Sequence, residues 1–373
     1  MFEFIKNFQK AGSTSASDWL NKNPDKGEEV LVYAESTVKY SDPKTVDEQI
    51  ISSFKSTEVK IPAFHVRKFK NGKCFTGNGI ALSPGNIPFK DYSVEGKHPL
   101  RNKRKYKFNK TEKMSGKVAV LATDPRNVNY FHWIIEIFPR LHLLEKAGIE
   151  CDNYIISCLT PFQKEFLSYT DIPEHKFIEN MPNRLIQAEE LIIPDIINNS
   201  IKFETEKGHY YNAEYLPGWV CDFYEKLADK AATRTSPKKV YISRNKAGCR
   251  KVGNEDEVMN LLEKYGFVKY CLEDLSVKEQ IDLFYNAETV IAPHGAGLAN
   301  MLFSPKKTKV IELFPENYLC NNLQIIAKAK GLDYGYLICE KANFSKPHSS
   351  LLLVEDLSVN IEELDKLIEI MQS

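Results

Sequence analysis

Three stretches of this sequence hold residue types that can do chemistry at the spacing they keep. The first is Asn129-Tyr130-Phe131-His132-Trp133-Ile134-Ile135-Glu136-Ile137-Phe138-Pro139-Arg140. His132 and Glu136 stand four apart and so share one face of a helix, among aromatic and aliphatic neighbours. A carboxylate in apolar surroundings is suited to taking up a proton, and a histidine one turn away can orient it or share that proton. The pair therefore reads as a general base. The alternative is a buried pair, satisfied by its own members or by Arg140, that only holds its helix to a sheet.

The second stretch is Ser243-Arg244-Asn245-Lys246-Ala247-Gly248-Cys249-Arg250. Two arginines on a strand-end loop supply planar, bidentate donors for a diphosphate, although Arg250 could instead pair with Glu255 or Glu257 on the next helix. The third stretch is Pro293-His294-Gly295-Ala296-Gly297-Leu298. A strand that turns through two glycines into a helix offers free N–H groups and the positive end of a helix dipole, which suit a phosphate. Glycine lets an anion approach the main chain, and His294 at the mouth would donate a hydrogen bond or a charge. A Gly-x-Gly turn is also an ordinary tight connection in any α/β domain. Glu312, at the end of the following strand, can accept hydrogen bonds from ribose hydroxyls, or act as a cap or an ion-pair partner.

The elements around these stretches alternate. From about 29 to 94 the chain reads as strand and turn, with Val30 to Tyr33 and Phe64 to Phe69 as strands and Asn71-Gly72 as a turn. From Lys117 it reads strand, helix, strand: Val118 to Leu121, a helix over Tyr130 to Lys146, then Tyr154 to Ile156. A helix from Phe162, a strand at Leu191 to Ile193 and a helix around Val220 to Lys230 continue the alternation. That order implies a parallel sheet covered by helices. Ala231 to Pro237 reads as a linker. The second half repeats the grammar: a Val240 strand, a helix capped by Asn254 and stopped at Gly266, a Phe267 strand, a Ser276/Glu279 capping box, and strands at Val290 and Val310. We expect an α/β chain of two Rossmann-like halves: residues 1–234 (β-rich over 29–94, α/β over 115–230), 235–358 with the phosphate-type loops, and a closing helix over 359–373.

Length and composition narrow the class. At 373 residues the chain is ample for two domains. Lysine plus arginine and aspartate plus glutamate are 50 each, so net charge gives no footprint for nucleic acid. The eight cysteines form no Cys-x-x-Cys pair and read as reduced thiols of a cytoplasmic protein. No apolar run reaches the ~18 residues of a membrane span, and Met1 to Lys10 lacks the apolar centre of a secretory signal. Phe2, Ile5 and Phe8 at helical spacing suit either a peripheral membrane foot or, as we favour, a helix packed on its own domain. The basic stretch Lys97 to Lys117 suits an anionic acceptor or lipid headgroups, against the plainer reading of a solvated loop. No Asp-x-Asp occurs to carry a metal on a sugar diphosphate.

Taken in order, Asn129 to Trp133 with Pro139-Arg140-Leu141, Ser243-Arg244 with Arg250 and Asn254-Glu255, Gln280, and Pro293 to Asn300 with Ile311-Glu312-Leu313 resemble glycosyltransferase family 61. The resemblance spans about Val118 to Pro315; residues before about Ser115 resemble nothing named. It implies a two-domain GT-B fold, whose first half faces an acceptor and whose second holds a nucleotide sugar, and inverting, metal-independent transfer from that donor, with no other cofactor. Ser243, Arg244, Arg250, His294, Gly295, Ala296, Gly297 and Glu312 would bind the donor, for which we expect a uridine diphosphate sugar. Glu136, with His132, would face a glycan or lipid-linked saccharide acceptor. The family pattern more often has aspartate where this sequence has Glu136, whose extra methylene moves the carboxylate. Eukaryotic members carry a signal anchor or signal peptide, so the chain is expected to be of the bacterial or viral cytoplasmic type that builds surface or capsular polysaccharide, peripheral at the inner face of the membrane. Two other classes compete: a catalytically inactive nucleotide-sugar or polysaccharide-binding subunit, and an NAD-dependent oxidoreductase, which the missing Gly-x-Gly-x-x-Gly spacing disfavours.

Overall fold

The computed structural model describes residues 14–47, 50–55, 58–92, 111–123, 128–181, 184–197, 200–205, 208–233, 236–316, 318–342 and 355–373. The Met1 to Lys10 stretch and the basic residues from Lys97 to Lys110 lie outside them. The chain divides into two compact units, Met1–Ser36 with Pro62–Asn198, and Thr37–Ile61 with Asn199–Ser373.

The first unit is built on one mixed sheet. Leu185–Pro194 runs parallel to Glu112–Val120, which runs parallel to Asn153–Ile155, and this is the α/β half read from the sequence. On its other side Leu185–Pro194 pairs antiparallel with Phe64–Lys70, which pairs antiparallel with Gly27–Tyr33. The strands of the β-rich segment at Gly27–Tyr33 and Phe64–Lys70 are thus a continuation of the same sheet, whereas Ser36–Lys39 and Glu58–Ile61 pair in a separate two-stranded sheet. Asn71 takes the left-handed conformation at φ 55° in the turn after Phe64–Lys70, a region asparagine tolerates better than most side chains. Trp19, Phe69 and Phe89 pack ring on ring beneath the sheet, with centroids 4.5–6.0 Å apart.

The second unit carries the parallel sheet that positions the Ser243–Arg250 loop and the glycine turn at 293–298. Its strands are β1 (Lys239–Ser243), β2 (Val268–Cys271), β3 (Thr289–Pro293), β4 (Lys309–Pro315), β5 (Asp333–Lys341) and β6 (Leu357–Ser358). They lie in the order β2-β1-β3-β4-β5-β6, all parallel except the antiparallel β6. This order reverses direction between β1 and β3, and open α/β sheets bind ligands beyond the carboxyl ends of the strands at such a reversal. Val240, Val290 and Ile311 are fully buried, as strands covered on both faces require. The Ser276/Glu279 capping box opens the helix Val277–Asn286, and Gly266 stops Glu255–Lys264 at φ 82°. Asn254 does not cap with its side chain. Its amide instead bonds both the N–H and the C=O of Val359, at 2.9 Å each, tying that helix to the C-terminal segment.

The expected boundary at 234/235 does not coincide with this division. The helix Gly218–Ala231 packs in the second unit, where Tyr224 meets Phe303 edge-on at 5.3 Å. The C-terminal helix Ile361–Gln372 is also part of that unit's core, burying Leu364, Leu367, Ile368 and Met371 with Ile291, Leu313 and Leu337. Thr37–Ile61 belongs there as well: the main chain of Lys44 bonds Tyr334 and Tyr336 on β5, at 2.9 and 3.0 Å. Phe54, fully buried, wedges between Phe314 and Tyr336 at 5.5 and 5.0 Å. Aromatic side chains lost from such a core cost about 3–5 kcal/mol. Phe54→Ala should therefore lower the unfolding free energy of the second unit by about 3–5 kcal/mol, read as a fall in the denaturant midpoint in equilibrium unfolding; an unchanged midpoint would show that 37–61 is not part of its core.

Candidate active site

The loop after β1 and the turn after β3 meet through one side chain. A Cβ placed on Gly295 would stand 2.0 Å from Nη1 of Arg244, so the arginine fills the space that any other residue at 295 would occupy. What a side chain at 295 would disturb is the position of the Arg244 tip and not the backbone, since Gly295 has an extended φ of 179°. Arg244 is held there by Cys249, whose carbonyl accepts from Nε and Nη2 at 3.3 and 3.1 Å. Burial and the neighbouring charge of Arg250 push the Arg244 pKa down. Among the described residues neither arginine forms an ion pair, and Glu255, offered above as a partner for Arg250, is occupied by Ser243, Tyr241 and Lys269 at 2.7, 3.1 and 2.6 Å. Two like charges at a strand end repel, with the Glu273 carboxylate acting on Arg244 only as a minor influence, and an anion bound between them would relieve that repulsion.

Arg250 adopts the left-handed conformation at φ 56°, unfavourable for arginine, and its buried Nε has no hydrogen-bond partner. Its guanidinium lies over the ring of Tyr318 at 5.3 Å. The same ring meets His294 edge-on at 5.1 Å, so Tyr318 gathers the two onto one residue. The sequence reading passed over Tyr318. The signal available was its place three residues past Pro315, at the carboxyl end of β4 and hence at the same end of the sheet.

Three expected donor ligands have other occupations. His294 is 6% exposed, not at a mouth; Nδ1 bonds Glu312, Nε2 lies 3.9 Å from the Cys320 thiol, and the ring stacks on Phe314 at 5.1 Å. Glu312 is 0% exposed, with Oε1 on His294 and Oε2 accepting from Tyr334 at 2.5 Å, so both oxygens that would receive a ribose are already engaged. Ser243 turns inward to Glu255. The stretch Ala296–Phe303 is a 3₁₀ helix, a tighter winding than the α-helix expected. Gly297 makes room for Leu272, whose Cδ1 would lie 2.6 Å from an added Cβ. Asn300 and Gln280 join at 2.7 Å and fix that helix to the turn at Leu272 and Leu275.

In the first unit, Asn129 caps the segment Tyr130–His132 through the N–H of His132, at 3.2 Å. The expected single helix then widens to a π-turn over Trp133–Ile137 and resumes at Arg140–Lys146, after Pro139. Such widened turns concentrate at functional sites. Trp133 anchors it, donating to the Ser157 carbonyl at 3.1 Å and stacking on Phe138 at 4.9 Å. Arg140 does not serve Glu136. It is buried and donates to the carbonyls of Val120, Leu121 and Pro194 at two strand ends, and burial pushes its pKa down to about 10, leaving it charged. His132 Nδ1 meets Glu136 Oε1 at 2.8 Å, and their side chains are 29% and 2% exposed. Glu136, expected to face the acceptor, is thus buried, and His132 is the member of the pair that solvent reaches. Bonding to a carboxylate fixes the Nδ1–H tautomer and leaves Nε2 as the basic atom.

Two outcomes follow. In Gly295→Ala the new methyl displaces Arg244, and nucleoside diphosphate affinity should fall about tenfold or more, as for loss of a charge-assisted hydrogen bond. Titration calorimetry on folded variant checks this; full affinity would separate Arg244 from the site. Burial alone would lower the His294 pKa, but Cys320 and the buried Glu312 carboxylate outweigh it and the net shift is upward. A raised histidine stabilises fully below its unfolded value of ~6.5 and loses that contribution as pH rises through the folded value. Melting temperature should therefore decline above that point, and Glu312→Gln should flatten the decline; identical slopes would remove Glu312 as the cause.

Residues 130–311 match the family model described as Glycosyltransferase 61, a span that holds the His132/Glu136 pair, both arginines and the glycine turn. The chain is similar to a beta-1,2-xylosyltransferase of Arabidopsis thaliana, at 28% identity over 22% of this chain and 18% of that protein. It is also similar to EGF domain-specific O-linked N-acetylglucosamine transferases. The Gallus gallus protein is 30% identical over 27% of this chain and 21% of its own length, and the Drosophila melanogaster protein 34% over 25% and 18%. The alignments thus span about a fifth of the length of these curated relatives. They come from a plant and animals and lend no support to a bacterial or viral capsular type. The cytoplasmic placement is corrected too: the curated relatives are enzymes of the Golgi or endoplasmic reticulum lumen. Among the described residues no helix is long and apolar enough to cross a membrane. The family match and the alignments to these glycosyltransferases together make Tyr130 to Ile311, just under half of the chain, the part with recognisable likeness.

Proposed function

We propose that the chain transfers a sugar from a uridine diphosphate donor to a glycan or lipid-linked saccharide acceptor, with inversion and without a metal, on a GT-B type fold. The observation that carries this reading is the pair of guanidiniums of Arg244 and Arg250, close enough to repel and in no direct ion pair among the described residues, at the chain reversal of the second unit's sheet. There they would bind the diphosphate together with the first N–H groups of the Ala296–Phe303 helix. His294 and Glu312 would act behind them, as a buried pair that holds the turn.

The acceptor hydroxyl gives its proton to Nε2 of His132 while its oxygen attacks the anomeric carbon from the face opposite the diphosphate. The bond from that carbon to the diphosphate oxygen breaks, and the negative charge that develops there meets the arginines. Glu136, bonded to Nδ1, holds the ring in the right tautomer and stabilises the imidazolium that forms. This exchanges the roles first expected of the two residues, for the reason that Glu136 is buried and His132 is not.

The names of the relatives make UDP-xylose and UDP-N-acetylglucosamine the first donors to try. With whichever is turned over, His132→Ala should reduce kcat by about 10²- to 10⁴-fold, the usual worth of a general base, and leave nucleotide affinity intact. Glu136→Gln should also impair transfer while leaving affinity intact, and transfer by the unmodified chain should survive chelator. Undiminished transfer by His132→Ala would sink the base assignment, and arrest by chelator the metal-free one.

A further inference from the structure

We infer that the second unit carries another anion site, for a phosphorylated small molecule, at the end of its sheet opposite the Arg244 and Gly295 loops. A cavity of about 550 Å³ lies there, within one unit, beside the residues that open β1, β3 and β4. Ligand pockets of about 300–1,000 Å³ are typical for small molecules. Its wall holds Lys238, Lys239, Lys306, Lys307 and Lys309 against one acid, Glu288, in a chain whose charges otherwise balance.

The local partners do not absorb this charge. Lys239 donates to the carbonyl of Tyr265 at 2.9 Å, which satisfies a donor without neutralising it. Lys238 lies 3.4 Å from Glu288, but both are largely exposed, and such pairs contribute little. Lys306, Lys307 and Lys309 form no ion pair among the described residues. Lys307 also holds φ 67° in the turn from Pro305 to Thr308, where the Thr308 N–H bonds the Pro305 carbonyl at 3.2 Å. The third position of such a turn favours glycine, so lysine is kept there against backbone preference.

Lysines spread over a convex face are simply solvated; lysines around a concavity with low-dielectric walls focus a positive potential into it. Phe267 and Ile311 supply those walls, and Tyr285 adds a ring against which a non-ionic part of the ligand can lie. A phosphate group carries about −1.5 to −2 charges at neutral pH and so matches the lysines that have no local counter-ion. The inference does not rest on the transferase reading, because no residue is shared between the two ends of the sheet.

The test uses the full chain, inorganic pyrophosphate as probe, and hydrogen exchange read by peptide. Pyrophosphate should slow exchange over 285–289 and 305–311, equally in the unmodified chain and in Arg244→Ala. Reversing Lys306→Glu and Lys309→Glu together should weaken binding at that location by about tenfold or more while the protection of 243–250 persists. Lys307→Gly should raise the melting temperature yet weaken the same binding. A second arm offers phosphatidylcholine vesicles with and without phosphatidylinositol phosphate. Vesicle capture that pyrophosphate competes away assigns the phosphate to a lipid headgroup, and protection without capture assigns it to a soluble ligand. Protection confined to 243–250 and 294–300, or binding unmoved by the double reversal, overturns the proposal.

Discussion

The approach of Arg244 to the backbone of Gly295 is the contact on which the candidate site depends. Two loops that leave neighbouring strands converge here with the guanidinium of one lying where a side chain on the other would stand, so a larger residue at 295 would have to move the arginine. Much of what surrounds that contact keeps it in register. Cys249 holds the arginine from its own loop, Glu255 draws Ser243 inward at the base of the loop, and Asn300 with Gln280 fixes the short helix that follows the glycines. The result is positive charge concentrated at the reversal of the strand order, the position where this sheet architecture accepts ligands.

Each unit also contains a buried glutamate bonded to Nδ1 of a histidine. In the second unit the histidine is as buried as its carboxylate, stacked on Phe314 and edged by Tyr318, so the pair stiffens the turn. In the first unit the π-turn brings Glu136 inside and leaves His132 partly exposed. The same chemical device thus has different uses according to whether solvent or substrate can reach the second ring nitrogen. Exposure, not residue type, separates a structural pair from a chemical one.

The second unit's sheet is electrostatically similar at its two ends, although the means differ. Arginines that are partly buried and geometrically fixed gather at the carboxyl end, whereas flexible lysines ring a cavity at the amino end. Guanidinium groups held by loop geometry suit a diphosphate of defined orientation, and ammonium groups on long stems suit an anion recognised mainly by charge.

The sequence by itself determined the parts that depend on short-range chemistry. Apolar runs at Val118, Val240, Val290 and Val310 became buried parallel strands, Ser276 with Glu279 became a capping box, and Gly266 ended its helix. The ordered motifs from Tyr130 to Ile311 also carried the family resemblance. What tertiary structure alone decided is which partner each polar side chain finds, because that depends on residues distant in the chain. Glu312 looked open to a ribose until Tyr334, 22 residues away, and His294 took its two oxygens. Arg140 looked like a partner for Glu136 until the carbonyls of Leu121 and Pro194 claimed it. Thr37–Ile61 joined the second unit through Phe54, whose neighbours lie more than 250 residues further along the chain, a separation beyond the reach of any local pattern.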